Sequence, residues 1–129
     1  MPNINDSALA TRALIIMAHG SRRDSANQEF FQLVERIANQ SDYPCVVPAL
    51  LEQAPPTLLQ AAQKLPETIQ AIDVYPLFFN CGRHVEKDIP AQVAELMEAR
   101  PQADIRLLSY FGQSQELSNL VVEHINQQR

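Results

Sequence analysis

Two histidines and one carboxylate are set apart in this 129-residue chain by what precedes them. His19 follows the apolar run Ala13 to Ala18, Glu52 follows Pro44 to Leu51, and His84 follows Ile69 to Phe79 across a loop that contains Gly82. They lie 33 and 32 residues apart, so no local motif groups them. Consecutive strands of a parallel sheet would bring the loops that carry them to one edge. Two imidazoles and a carboxylate form a borderline nitrogen and oxygen set that suits first-row divalent ions such as cobalt, iron, nickel or zinc. A neutral imidazole titrating near neutral pH can also accept a proton. Each histidine alone reads more readily as a hydrogen-bonded residue at a strand end than as a ligand; three metal-capable groups at one crevice mouth bring the two readings level.

Basic residues gather at the same places. Arg22 and Arg23 follow His19, while Arg83 and Lys87 flank His84, so four of the ten Lys and Arg residues lie beside the candidate histidines. With fifteen Asp and Glu and a formal net charge of −5, this is a local reversal of sign. It fits an anionic ligand, carboxylate or phosphate, and it also fits plain surface solubility. The overall acidity disfavours a general grip on phosphodiester backbones, so nucleic acid is not an expected partner. Gly20 and Gly82 permit tight turns or close ligand approach, or they merely end the strands. Cys81 is a soft donor three residues from His84 whose default role is a buried thiol. His124 falls on an apolar helical stripe, where packing or a helix-dipole role is the default.

The surrounding elements are those of an α/β protein. Ala13 to Ala18 reads as a strand buried on both faces. Phe30, Phe31, Val34, Ile37 and Ala38 give the stripe of a helix from Ser25, with Ser25 and Gln28 as its capping box. Pro44 to Leu51 is a second strand, placed at an edge by Pro48. Pro55-Pro56 suits the first turn of a second helix with stripe Leu58, Leu59, Ala62 and Leu65. Ile69 to Phe79 is a third strand. Asp88 caps a third helix with Pro90 in its first turn and an apolar face at Val93, Leu96 and Met97. Ile105 to Leu108 is a fourth strand, and Ser114 caps a last helix with stripe Leu117, Leu120, Val121, His124 and Ile125. The order βαβαβαβα predicts a mostly parallel four-stranded sheet with helices on both faces and ligands outside the carboxyl ends of the strands.

At 129 residues, with 46% hydrophobic and 19% charged residues, the chain reads as one α/β domain, residues 1–129, with Met1 to Thr11 as a loose arm. The longest apolar run near the start falls far short of the ~20 residues that span a bilayer. It also lacks the flanks of a signal peptide, so a cytoplasmic protein is expected. Cys45 and Cys81 show no CxxC spacing and are expected to be reduced.

Three segments together resemble one family. These are Ala18-His19-Gly20-Ser21-Arg22-Arg23 after a buried strand, Leu51-Glu52 followed by Pro55, and Pro76-Leu77-Phe78-Phe79 leading into Gly82-Arg83-His84-Val85 and Asp88-Ile89-Pro90. The chain is similar to the CbiX-type sirohydrochlorin chelatases. The resemblance implies a class II tetrapyrrole chelatase of chelatase-like fold, which inserts cobalt(II) or iron(II), with nickel(II) a further candidate, into sirohydrochlorin without ATP. The metal is then a substrate, and no organic cofactor is implied. His19 and His84 would bind metal and assist catalysis, and Glu52 would complete the metal set. Arg22, Arg23, Arg83 and Lys87 would meet the carboxylates of the tetrapyrrole. Longer relatives carry two such domains, so one copy implies a homodimer.

Two other readings stand beside this one. A relative of the same fold could bind metal or tetrapyrrole without turnover. A histidine phosphatase would also place a histidine after the first strand, but in an Arg-His-Gly motif. Here Ala18 stands where that arginine would hold phosphate, and Glu52 and the Gly82–His84 segment would have no role.

Overall fold

The computed structural model describes residues 9–129, apart from the side chain of His84. The arm expected over residues 1–11 falls mostly outside the described residues, and Leu9 and Ala10 are helical. Strands β1 (Arg12–Ala18), β2 (Cys45–Leu50), β3 (Ala71–Pro76) and β4 (Asp104–Leu107) form one parallel sheet in the order β2-β1-β3-β4. The helices are α1 (Asp24–Gln40), α2 (Leu58–Gln63), α3 (Arg83–Ala99) and α4 (Leu117–Asn126), with a 3-10 turn at Phe111–Gln113 before the last.

β1 is central, and Ala13 to Met17 are buried on both faces, which is why they form an unbroken apolar run. Leu14 and Ile16 pack towards Val34, Phe30 and Ile37 of α1. Ala13, Ile15 and Met17 join the larger core with Leu58, Ala61 and Ala62 of α2 and Val85, Ile89, Val93 and Leu96 of α3. The helices thus cover opposite faces. The chain leaves β1 for β2 on one side and returns past it to β3 on the other. At that reversal the loops after β1 and β3 diverge and open a crevice. Pro48 lies on an edge strand as expected, where its missing N–H is tolerated.

Several local expectations are corrected. Ser25 and Gln28 form no capping box: α1 begins at Asp24 with Arg23 at its N-cap and no side-chain cap, so Ser25 already lies inside the helix, while Ser21 Oγ accepts from the Arg23 N–H at 3.0 Å. Pro55-Pro56 precede α2, whose cap is Thr57 paired reciprocally with Gln60. β3 ends at Pro76, short of Phe79: its register with β1 stops at Met17–Pro76, and the backbone beyond turns to the 3-10 turn, whose Gly112 N–H donates to the Phe78 carbonyl at 2.8 Å. α3 starts at Arg83, so Asp88 and Pro90 lie inside it. Gly82, in extended conformation, is its N-cap, and the Glu86 N–H bonds to the Gly82 carbonyl at 2.9 Å. Ser114 closes the 3-10 turn rather than capping α4. Met97 is exposed, as are Leu120, Val121, Val122 and Ile125 of α4; α4 leans on the 3-10 turn instead of returning to the sheet.

One polar cluster ties the sheet together on the α1 side. Asp73 of β3 is fully buried. It accepts from Arg12 Nη1 at 2.7 Å, from Arg106 Nε and Nη2 at 2.8 and 2.9 Å, and from the Tyr43 hydroxyl at 2.6 Å. One carboxylate therefore links β1, β3, β4 and the loop entering β2. Burial raises the Asp73 pKa, but hydrogen bonds from Arg106 and Tyr43 and the charges of Arg12 and Arg106 outweigh it, and the net shift is downward. Burial, then the bond to Asp73, pushes Tyr43 up to about 12.

Replacing Asp73 with Ala should lower unfolding stability by about 3 kcal/mol, because two guanidinium groups lose a buried partner; urea denaturation measures it. Since the folded-state pKa is depressed, the Asp73 contribution is full above the ordinary value near about 4 and fades as pH falls through the depressed one. The acid limb of the stability curve should therefore be shallower in Asp73→Asn than in the wild type.

Candidate active site

The parallel ladder continues past the strand ends and sets the site. The Leu51 N–H donates to the Ala18 carbonyl at 2.9 Å and the Glu52 N–H to the His19 carbonyl at 3.1 Å. Glu52 is thereby held beside His19, with Nδ1 and Oε2 3.8 Å apart. This is ion-pair distance for a protonated imidazole, longer than a hydrogen bond. The two side chains are 54% and 41% exposed, so both can meet a ligand from solvent.

Gly20 makes this approach possible. Its φ is +93°, and a Cβ there would lie 1.9 Å from the Glu52 carbonyl oxygen. Two side chains that sequence reasoning missed hold the loops in place. Asn27, buried in α1, accepts from the Ser21 N–H at 3.0 Å and donates to the Ser21 carbonyl at 2.9 Å. Gln92 of α3 donates to the Leu51 carbonyl at 3.1 Å, next to Glu52. Asn27 stands amid exposed positions in the first turn of an amphipathic helix, so only its partners distinguish it from a solvated side chain. Gln92 lies 41 residues from the Leu51 carbonyl it holds, so nothing local in the sequence signals the contact.

The loop after β3 forms the other wall. The Leu77 N–H donates to the Met17 carbonyl at 2.7 Å, which carries Phe78 alongside His19, their ring centroids 5.2 Å apart at 46°. An open cavity of about 660 Å³ is lined by His19, Leu77, Phe78, Phe79, Asn80, Gly82 and Val85. Its floor is apolar, with the imidazole at its lip.

Of the predicted residues, the structure brings His19 and Glu52 together. His84 lies in the first turn of α3 by its backbone, two residues beyond Gly82 at the cavity wall, and its side chain is outside the described residues. Among the described residues, no three His, Cys, Asp or Glu side chains gather to hold a metal. Asp88 is half-buried one helical turn after position 84. Arg22, Arg23, Arg83 and Lys87 are exposed on the segments that follow β1 and β3. Arg22 Nε donates to Gln53 Oε1 at 3.1 Å across the loops after β1 and β2. His124 is exposed on α4, and Cys81 is half-buried and unpaired.

The sequence model of the CbiX family matches residues 13–128. A sirohydrochlorin ferrochelatase of Priestia megaterium is 27% identical over 116 residues, covering 89% of this chain and 44% of the relative. A sirohydrochlorin cobaltochelatase of Methanocaldococcus jannaschii is 33% identical over 79 residues, covering 60% of this chain and 55% of the relative. The chain thus spans about half the length of the curated relatives it matches. Among solved structures, the CbiX protein of Marinobacter aquaeolei VT8 superposes with a TM-score of 0.75 at 25% identity, over 91% of this chain and 96% of that one. The sirohydrochlorin chelatase SirB of Bacillus subtilis subspecies spizizenii, solved in complex with cobalt, shares the fold with a TM-score of 0.77 at 23% identity, over 91% and 50%.

Gly20→Ala should cost about 3 kcal/mol of stability, from a strained positive φ and a collision with the Glu52 backbone. Asn27→Ala should cost about 2 kcal/mol by loss of two hydrogen bonds at a buried site. Urea denaturation reads both, and losses under about 0.5 kcal/mol, the usual range for surface changes, would show that the loop does not need these residues.

Proposed function

The chain belongs to the CbiX family, and from that premise we propose that it is a sirohydrochlorin chelatase inserting cobalt(II) or iron(II), in the building of cobalamin or sirohaem. The relatives named for those two activities support this reading. The observation that carries it is the His19–Glu52 pair, 3.8 Å apart at the lip of an open, apolar cavity. Nickel(II) would suit the same donors. The metal is a substrate, and the reaction needs no organic cofactor or ATP. A dication replaces two pyrrole N–H protons, so charge balances and nothing is oxidised.

In this mechanism His19, Glu52 and His84 hold the incoming ion. His19 and His84 accept the pyrrole protons as the metal enters the ring. Imidazole suits the task because its ordinary pKa lies near the working pH. Glu52 meets the dication, then the imidazolium left when the metal departs. The apolar floor takes one face of the macrocycle, and Arg22, Arg23, Arg83 and Lys87 take its carboxylates. Asp88, one turn from His84, orients that imidazole.

The working unit in this proposal is one chelatase domain per chain and two chains per enzyme. Supporting this are the exposed apolar residues Leu120, Val121, Val122 and Ile125 on α4. We place the enzyme in the cytoplasm. Unpaired Cys45 and Cys81 agree with a reducing compartment, and among the described residues no helix is long and apolar enough to cross a membrane.

Anaerobic absorbance of sirohydrochlorin with cobalt(II), and separately with iron(II), tests the activity. Wild type should accelerate metallation, His19→Ala and His84→Ala should each lose at least about 100-fold in rate, and Glu52→Gln about 10- to 100-fold in metal affinity. Far-UV spectra should be unchanged. Tight pigment binding without acceleration would replace the enzyme with a carrier. Sedimentation at micromolar concentration should show a species near twice the chain mass; a strict monomer would remove the two-chain enzyme.

A further inference from the structure

Phe79 is 70% exposed, more than any other large apolar side chain among the described residues. It is nevertheless tightly held. The Gly112 N–H donates to the Phe78 carbonyl at 2.8 Å, and a Cβ on Gly112 would lie 1.8 Å from the Phe79 carbonyl oxygen. The Phe111 ring of the same 3-10 turn lies 5.8 Å from the Phe79 ring at 56°. The turn therefore clamps the Phe78–Phe79 backbone against glycine and braces the exposed ring from one side. An exposed aromatic ring on a held backbone, braced by a second ring, has less freedom to lose when a flat apolar partner meets its face.

The position of the ring names that partner. Phe79 lines the cavity that His19 enters, and its neighbour Phe78 touches the His19 ring. Phe79 follows Phe78 in the lining of the same cavity as His19. The geometry points to Phe79 as the platform for one face of the tetrapyrrole beside His19, and to Gly112 as the residue that positions it. This inference rests on the chelatase reading. The ring also borders a groove with Leu117, Leu120 and Val121 of α4. Contact with a second copy of the chain is therefore the competing role.

Anaerobic titration with metal-free sirohydrochlorin, followed by absorbance, separates these roles. Phe79→Ser should weaken binding roughly tenfold, from lost stacking and lost apolar contact. Phe79→Tyr should stay within about twofold of wild type, since the ring face is kept. The loss should appear in KM for sirohydrochlorin while kcat and the affinity for cobalt(II) alone stay put. Gly112→Ala, which must push the Phe79 backbone aside, should reproduce the KM effect with all of Phe78 and Phe79 present. Phe79→Ser keeps the test open should Gly112→Ala not fold. Wild-type affinity in Phe79→Ser, or a change in its sedimentation that accounts for the loss, overturns the platform and leaves the chelatase reading intact. Failure of the wild type itself to bind sirohydrochlorin overturns both.

Discussion

Hydrogen bonding along both sides of β1 is the constraint on which the rest of the molecule depends. Because β1 is paired with β2 and β3 at once, its carbonyls also receive the first N–H groups beyond those strands: Leu51 on Ala18, Glu52 on His19, Leu77 on Met17. A parallel ladder thus extends into what would otherwise be loop. Glu52 and Phe78 are placed on either side of His19 by backbone geometry rather than by side-chain attraction. That explains how an imidazole and a carboxylate, both substantially exposed, keep a defined separation without a hydrogen bond between them. It also explains why Gly20 is required, since the β1 loop must pass over the backbone it has just pinned.

The two halves of the sheet spend their polar groups in opposite ways. In the amino half, Asp73 is saturated by two arginines and a tyrosine and has no capacity left for a ligand. At the carboxyl ends, His19 and Glu52 face solvent across a wall of Leu77, Phe78 and Val85. A satisfied buried cluster fixes strand register. His19 and Glu52 stay partly exposed beside an apolar floor, within reach of a ligand from solvent. The rigidity of the first permits the openness of the second, because strands that could slip would carry His19 away from Glu52.

Much of this was legible in the sequence, for identifiable reasons. A strand buried on both faces has no alternation to confuse it, so Ala13 to Ala18 was plain, and Pro48 marked β2 as an edge. His19, Glu52 and the basic residues stood out because each follows such a run. What escaped were features decided by distant partners. Asp88-Ile89-Pro90 has the composition of a helix start, yet α3 begins at Arg83, because extended Gly82 nucleates the turn and burial of Val85 and Ile89 carries the helix through a proline. Asp73 sits in an apolar strand where only Arg12, Arg106 and Tyr43 make sense of it. Asn27 and Gln92 act on backbone carbonyl and N–H groups, which leave no mark in a string of side chains. The stripe of α4 was read correctly as apolar and wrongly as covered, since periodicity reports a face without saying what meets it.

That uncovered face bears on how the site works. The cavity beside His19 is open, and its walls come from the loops after β1 and β3. They can cover one face of a flat ligand and leave the other to water. Metal transfer into a macrocycle is favoured by excluding solvent from both the ring and the departing protons, so one wall is half of what the proposed chemistry needs. In the proposed two-chain enzyme a second copy supplies the other wall. Leu120 and Val121 of α4 lie along a groove that also contains Phe79 of the cavity. A surface that buries α4 would therefore meet the edge of the site itself, and the same contact that satisfies the bare helix would bring a second wall towards His19.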